Sequence, residues 1–179
     1  MDLGFVGSDE LTIDAKGRVS IPASFRGQIQ EEDPDFGEGV RARLVIVFGG
    51  EEQNHFKVYT IRTYLAIRKK IATKPRGTPK RRALDRTFVS QAAVVSLIED
   101  GRIQLTQKMR EKLDLKDKVT FIAESDKFLM YKPEVYQAEE ARIDAWIAAQ
   151  SAKLGAEGEF DPEALLDDEI DSDLDLDLE

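Results

Sequence analysis

One stretch of this chain is written twice, and that repetition limits the possible fold more than any other feature. The first copy is Leu11-Thr12-Ile13-Asp14-Ala15-Lys16-Gly17-Arg18-Val19-Ser20-Ile21-Pro22. Two runs of β-forming residues flank a tight turn that carries Lys16 and Arg18. Gly17 gives the turn its backbone freedom, and the Asp14 carboxylate can accept from the turn amides. Pro22 ends the second run, and Ala23-Ser24-Phe25-Arg26 opens a short helix. The second copy, Leu97-Ile98-Glu99-Asp100-Gly101-Arg102-Ile103-Gln104-Leu105-Thr106, lies 84 residues later, placing Met109 on Phe25 and Arg110 on Arg26. Further on, Phe128-Leu129-Met130-Tyr131 answers Phe56-Lys57-Val58-Tyr59, and Tyr136 answers Tyr64, at a spacing of 72. The first copy is therefore 12 residues longer, and the loop Gln30 to Gly39 is the expected place for the excess. A repeat of this length implies two like units that bury their apolar faces together.

The length of 179 residues suits one domain or two small ones, and 41% hydrophobic residues suffice for a core. The sequence has no apolar run of about 18 residues, so no membrane-spanning segment is expected. Met1-Asp2-Leu3-Gly4 lacks the basic and apolar regions of a signal peptide. There is no cysteine, which excludes disulfides, thiolate metal sites and cysteine nucleophiles. A cytoplasmic protein is the expectation. The net charge of -9 is an uneven average. Residues 151–179 hold 12 Asp/Glu against one Lys, whereas residues 1–150 hold 25 Lys/Arg against 23 Asp/Glu. The overall charge therefore says little about what the folded body binds.

Between and after the repeated turns the pattern is mixed. Phe5 and Phe25 are expected to be buried. Residues 30–39 read as an acidic loop with Pro and Gly punctuation. Arg43 to Phe48, ended by Gly49-Gly50, and His55 to Tyr59 read as a β-hairpin. Thr63 to Ile71 has helical spacing. Arg68, Lys69, Lys70, Lys74, Arg76, Lys80, Arg81, Arg82 and Arg86 then form a basic stretch opposed only by Asp85. Pro75, Gly77 and Pro79 break it into a loop between two helices, the second spanning Lys80 to Ala93. In the second copy, Gln107 to Leu113 reads as helix. Val119 to Ala123 and Phe128 to Tyr131 read as a second hairpin, and a helix runs from Pro133 to about Lys153. The Asp-Leu alternation at the C-terminus is too charged to fold alone.

Asp14-Ala15-Lys16-Gly17-Arg18 with its β run and Pro22, the central basic helix pair and the second Gly-Arg copy together resemble the MraZ family. These are bacterial transcriptional regulators of the division and cell-wall gene cluster, related to the AbrB/MazE swapped-hairpin DNA-binding proteins. The resemblance covers about residues 1–150. It implies an α+β fold of two tandem AbrB-like β-barrel-type copies, pseudo-twofold, with added helices; the acidic tail after residue 151 lies outside the resemblance and reads as disordered from its charge. The divisions would be 5–67 for the first copy, 68–93 for a basic helix-loop-helix connector, 94–153 for the second copy with its C-terminal helix, and 154–179 for the tail. It also implies a ring-like homo-oligomer that binds double-stranded DNA at repeated promoter elements, acts as a repressor and sits at the nucleoid. Two departures stand out. Ile98 replaces the Asp and Asp100 replaces the Lys in the second turn, and Phe5-Val6-Gly7 stands where the family often has Phe-Arg-Gly.

The expected DNA-binding residues are Arg18, Lys16, Arg102, Gly17 and Asp14. A rigid turn can hold the Arg18 guanidinium toward guanine O6 and N7, while Lys16 suits phosphate, where a point charge suffices. The opposing reading is plain turn chemistry, with Arg18 paired to Asp14. Arg102 is weakened by the acid at Asp100. The 68–86 cations offer either an electrostatic funnel for phosphate or a solvated or subunit-facing surface. His55, the single His, lacks the partners of a metal site. No catalytic constellation, cofactor motif or phosphate-binding glycine loop is present, so no enzyme, cofactor or metal is expected. The tail reads as a solvated appendage, as a phosphate mimic competing for the Arg18 surface, or as a docking strip through its leucines. Two rival functions remain: an AbrB/MazE-type antitoxin, and a ring-shaped scaffold without DNA specificity.

Overall fold

The computed structural model describes residues 3–153 and 161–166. The residues up to Tyr136 form one compact unit, and those from Gln137 onward a second. The expected acidic tail at 154–179 falls mostly outside the described residues.

In the first unit, β1 (Ser8–Thr12), β2 (Arg18–Ser20) and α1 (Ala23–Glu31) are followed by the hairpin β3 (Arg43–Val47) and β4 (His55–Thr60) and by α2 (Ile61–Ala72). Then come α3 (Pro79–Asp85), a wide π-type turn at Arg86–Ser90, β5 (Ala92–Ser96), β6 (Arg102–Gln104), α4 (Gln107–Lys112), β7 (Lys118–Glu124), β8 (Lys127–Tyr131) and the start of α5 (Pro133–Lys153). Thr60, Thr78 and Thr106 cap α2, α3 and α4, each hydroxyl accepting from a backbone amide of the first turn. In the second unit α5 continues to Lys153, where Ile143 is exposed, and Pro162–Leu166 form a 3-10 turn.

The result is a mixed α+β protein with a six-stranded antiparallel sheet in the order β1-β7-β8-β4-β3-β5 and a two-stranded ribbon of β2 and β6. The runs on either side of each Gly-Arg turn do not pair with one another. β1 of the first copy pairs β7 of the second, and β5 of the second pairs β3 of the first. Exchanging the copies leaves the pairing unchanged. Ser8 opposite Ile122 becomes Ala92 opposite Val47, and Arg18 opposite Gln104 becomes Ser20 opposite Arg102.

Two expectations need correction. The helix expected over Lys80 to Ala93 ends early, because Ala92–Ser96 is strand β5. Val94 and Val95 are β-branched, and the free edge of β3 offers the backbone bonds that a further helical turn would have supplied. The 12 extra residues of the first copy are also not all in one loop. Val45 faces Tyr59 and Thr120 faces Tyr131, so β3 and β7 correspond at a spacing of 75. Nine of the extra residues therefore lie between α1 and β3, and three in the β3–β4 loop.

Both copies feed one core. Val19 and Ile103, opposite each other in the ribbon, are both 0% exposed, and each such side chain contributes about 1.5–3 kcal/mol by burial. Phe5 sits edge-on to Phe25 and Phe128, with ring centroids 5.1 Å apart in both pairs. The buried places expected for Phe5 and Phe25 are those observed. The acidic loop after α1 is tied down. Asp33, whose side chain is 0% exposed, accepts from Arg43 Nε at 2.9 Å and Nη2 at 2.7 Å. Those bonds, foremost the side-chain bonds from Arg43, hold its carboxyl below the usual carboxylate range.

Candidate nucleic-acid interface

Each Gly-Arg turn closes by the same two backbone bonds. In the first, Asp14 N–H donates to Arg18 O at 3.0 Å and Gly17 N–H to Asp14 O at 2.9 Å. In the second, Ile98 N–H donates to Arg102 O at 2.7 Å and Gly101 N–H to Ile98 O at 3.2 Å. Gly17 has φ +80° and Gly101 φ +67°, a left-handed conformation that side chains resist. The turns then clasp each other through the ribbon. Leu105 N–H donates to Gly17 O at 2.8 Å, and its counterpart Ile21 N–H donates to Gly101 O at 3.0 Å.

In the first turn a carboxylate adds rigidity. Asp14 Oδ1 accepts from the amides of Lys16 at 2.9 Å and Arg18 at 2.8 Å. Its Oδ2 accepts from Arg18 Nε at 2.7 Å. The Arg18 backbone amide is the main cause that holds the Asp14 carboxyl below its ordinary range, with the Arg18 side chain adding to it. The pairing of Arg18 with Asp14 is thus real, but it engages only Nε. The two terminal guanidinium nitrogens have no other protein partner among the described residues, so the fork is braced from one side and free on the other. The Lys16 side chain is exposed, and its ammonium has no partner among the described residues.

The second turn is built differently. Ile98 supplies no carboxylate, and Asp100, at φ +61°, stands where the first turn has Lys16. Arg102 Nε donates to Glu99 O at 3.3 Å, Nη2 is 3.8 Å from Asp100 Oδ2, and Nη1 is 4.0 Å from Asp14 Oδ2. Arg102 is therefore surrounded by acceptors, whereas Arg18 is braced by one. The five expected residues Asp14, Lys16, Gly17, Arg18 and Arg102 come together in one place, because β2 and β6 bring the two turns side by side.

Three residues that the motif reading did not single out as site residues complete the arrangement. Gln104 Nε2 donates to Lys16 O at 2.6 Å and so ties the second copy to the cationic turn of the first. Arg110 and Arg26 each lie under the glycine of the opposite copy. A Cβ on Gly17 would stand 3.0 Å from Arg110 Cζ, and one on Gly101 would stand 2.2 Å from Arg26 Cδ. The Nε atoms of both arginines are buried without a hydrogen-bond partner. The signal was available in the 84-residue spacing that sets Arg110 on Arg26.

Of the basic stretch, Arg81 is paired with Asp85 at 3.0 Å and also donates to Lys74 O at 3.0 Å, while Arg68 stacks over Tyr64 at 5.9 Å. Lys69, Lys70, Arg76, Lys80, Arg82 and Arg86 are exposed on α2, α3 and the segments around them. His55 meets Asn54 and stacks on Tyr131 at 4.6 Å. Among the described residues no three His, Cys, Asp or Glu side chains gather as metal ligands would, and no helix is long and apolar enough to cross a membrane.

Most of the chain's sequence matches known proteins. A protein called "Transcriptional regulator MraZ" from Ruegeria sp. (strain TM1040) is 38% identical over 165 residues, which is 91% of this chain and 95% of the relative. The chain belongs to the MraZ family. The family model described as "MraZ protein, putative antitoxin-like" matches residues 5–87, which take in the first Gly-Arg turn and the whole basic stretch. A protein of the same name from Cereibacter sphaeroides (strain KD131 / KCTC 12085) is 41% identical over 142 residues, covering 75% of this chain and 83% of its own length. Another, from Coxiella burnetii (strain Dugway 5J108-111), is 31% identical over 149 residues, covering 83% and 91%. The MraZ resemblance read from the repeated turns is thereby shown, and residues 88–153, including the second turn, lie beyond the span of the family model.

Proposed function

We propose that the chain is a sequence-specific DNA-binding transcriptional regulator, with the Asp14–Arg18 turn as its reading element. The observation that carries this is the braced but open fork of Arg18 beside the unpaired ammonium of Lys16. An arginine fixed at Nε presents its terminal nitrogens in a set direction, which suits bidentate recognition of a guanine edge. Lys16 adds a phosphate contact, and Gly17 and Asp14 hold the turn. Arg102 supports from the second copy, more weakly because acidic groups and a carbonyl already surround it. The relatives' shared name, transcriptional regulator, agrees with this reading.

The finer reading is two AbrB-like barrel copies related by a pseudo-twofold, divided at 5–67 and 94–153, with the 68–93 stretch as a basic connector and 154–179 as a solvated acidic tail. The interleaved pairing, unchanged on exchange of copies, supports it. The protein acts in the cytoplasm at the nucleoid as a ring-like homo-oligomer on repeated promoter elements of the division and cell-wall genes, as a repressor. Many weak turn contacts on one ring would add by avidity, so affinity should rise steeply with the number of repeats. Titration of duplexes carrying one, two or three copies of the repeat from the protein's own promoter tests this. A rise of about tenfold or more from one repeat to two is expected. Equal affinity for all three contradicts the assembly.

The antitoxin reading keeps one observation in its favour, the words "putative antitoxin-like" in the description of the family model. A small toxin protein recovered in fixed ratio with the natively expressed chain would support it.

A further inference from the structure

Arg26 is a cation that the protein leaves unanswered. Its side chain is half-buried against Gly101, the glycine of the second turn. Its Nε is buried without a hydrogen-bond partner, and no acceptor among the described residues engages the rest of the guanidinium. A cation withdrawn from water is ordinarily paired, because desolvation without a partner is costly. Arg26 borders a cavity of about 270 Å³ whose wall also includes Arg41, Gln30, Phe36 and, from the second turn, Ile98 and Glu99. Arg41 is exposed, and its ion pair with Glu99 spans 4.0 Å. Glu99 is the one carboxylate among the lining residues, and its side chain is 83% exposed.

The other copy does not repeat this cavity wall. Leu97 N–H donates to Ala42 O and Ile13 N–H donates to Asp117 O, both at 2.8 Å, so Ala42 corresponds to Asp117 and Arg41 to Lys116. At the 84-residue spacing Gln30 corresponds to Asp114. The surroundings of Arg110 therefore hold two carboxylates at places that are neutral around Arg26. Asp114 is bonded by Lys132. Phe36 belongs to the longer segment between α1 and β3 that only the first copy has. Two guanidiniums facing one space, with neutral neighbours at Gln30 and Ala42, are thus particular to the second turn.

We infer that this cavity binds a phosphate group, held between the guanidiniums of Arg26 and Arg41. Guanidinium forks match phosphate oxygens in pairs, and such charge-assisted bonds are strong. The phosphate would supply the acceptor that Arg26 lacks. On the reading of the chain as a DNA-binding regulator, on which this part rests, the group is a backbone phosphate beside the second turn. That turn, with Asp100 in place of Lys16 and with Arg102 among acceptors, then anchors the duplex while the first turn reads bases. A free phosphate has the same chemistry, and the test separates the two sources.

The full chain is titrated calorimetrically with inorganic phosphate against chloride at equal ionic strength, and with a scrambled duplex over a range of salt. Arg41→Gln removes one guanidinium, and Gln30→Asp introduces the acid that the other copy has at Asp114; both positions are exposed. If the source is free phosphate, each variant should bind inorganic phosphate about tenfold more weakly, the scale of one charge-assisted hydrogen bond. If the source is the DNA backbone, each should weaken the duplex, and Arg41→Gln should lower the slope of log affinity against log salt by about 1. Promoter preference carried by Arg18 should persist in both variants. A wild type without that preference would overturn the DNA reading alone, and the inorganic-phosphate arm would still decide this site. Wild-type affinities in both variants for both probes, or no binding of either probe by the wild type, overturns the inference. An equal loss in Lys108→Gln, an exposed cation outside the cavity, would mark an effect of net charge and also overturn it.

Discussion

Arg102 Nη1 lies 4.0 Å from the Asp14 carboxylate, so the second turn, whose own position 98 is Ile, draws on the acid of the first. Asp14 therefore serves two arginines 84 residues apart in sequence. Asp14→Ala should loosen both, removing the acceptor of two turn amides and of Arg18 Nε. The variant should unfold at a lower urea concentration than wild type, as when a capping side chain is lost. Asp14→Asn keeps an acceptor oxygen and should cost less than Asp14→Ala. Urea unfolding of the three proteins checks both the shift and the order.

The two turn glycines should differ in tolerance. A Cβ on Gly17 meets the Leu105 carbonyl oxygen, a backbone atom, at 2.8 Å, and one on Gly101 meets the Arg26 side chain. A backbone neighbour cannot step aside, whereas a side chain can rotate. Gly17→Ala should cost about 1–3 kcal/mol, and Gly101→Ala less. Thermal melts of the two variants in parallel give the comparison.

Much of this arrangement was legible in the sequence. Gly17 and Gly101 marked the turns, Pro22 and Pro133 marked strand end and helix start, and the two hairpins fell where their apolar runs stood. The 84-residue repeat announced two like units. The partners of the strands were not legible. The β-forming run from Leu11 to Ile13 points to a strand but carries no mark of which edge receives it, and β1 starts earlier, at Ser8, and crosses to β7 of the other copy. The extent of α3 was misread because Ala92 and Ala93 suit a helix as well as a strand until β3 claims them. Arg26 lay in plain view as the match of Arg110, but its place under Gly101 follows only from the clasp of β2 and β6.

Stability should fall in acid in a definite window. Asp33 and Asp14 both have carboxyl pKa values lowered in the folded protein, by their hydrogen bonds with Arg43 and Arg18. A group of this kind stabilises fully above its unfolded value of about 3.9 and loses that contribution as pH falls through its lower folded value. Asp33→Ala should therefore be less stable than wild type at pH 7, by about 2–3 kcal/mol for a buried acceptor of an arginine. The gap should narrow once the pH drops below about 4. Chemical denaturation across pH 2–7, a range spanning the usual carboxylate values of about 4, reads this directly.

The interleaved core predicts a single transition for the first unit. Ile103→Ala removes a side chain with 0% exposure that packs opposite Val19 of the other copy. It should cost about 2–5 kcal/mol and destabilise residues of both copies equally. Hydrogen exchange that quickens in β1 and β5 together supports this, and separate unfolding of the two copies contradicts it.

The central claim is that the Arg18 turn reads DNA sequence, and titration of the protein's own upstream promoter duplex against a scrambled duplex tests it most directly. Wild type, Arg18→Ala and Lys16→Ala are compared at two salt concentrations. The account predicts that Arg18→Ala loses the preference for the promoter, at about 1–3 kcal/mol per turn contact. Lys16→Ala should weaken both duplexes alike and flatten the salt dependence. Equal wild-type affinity for both duplexes, falling with salt and indifferent to Arg18, would contradict the account and leave only attraction to phosphate.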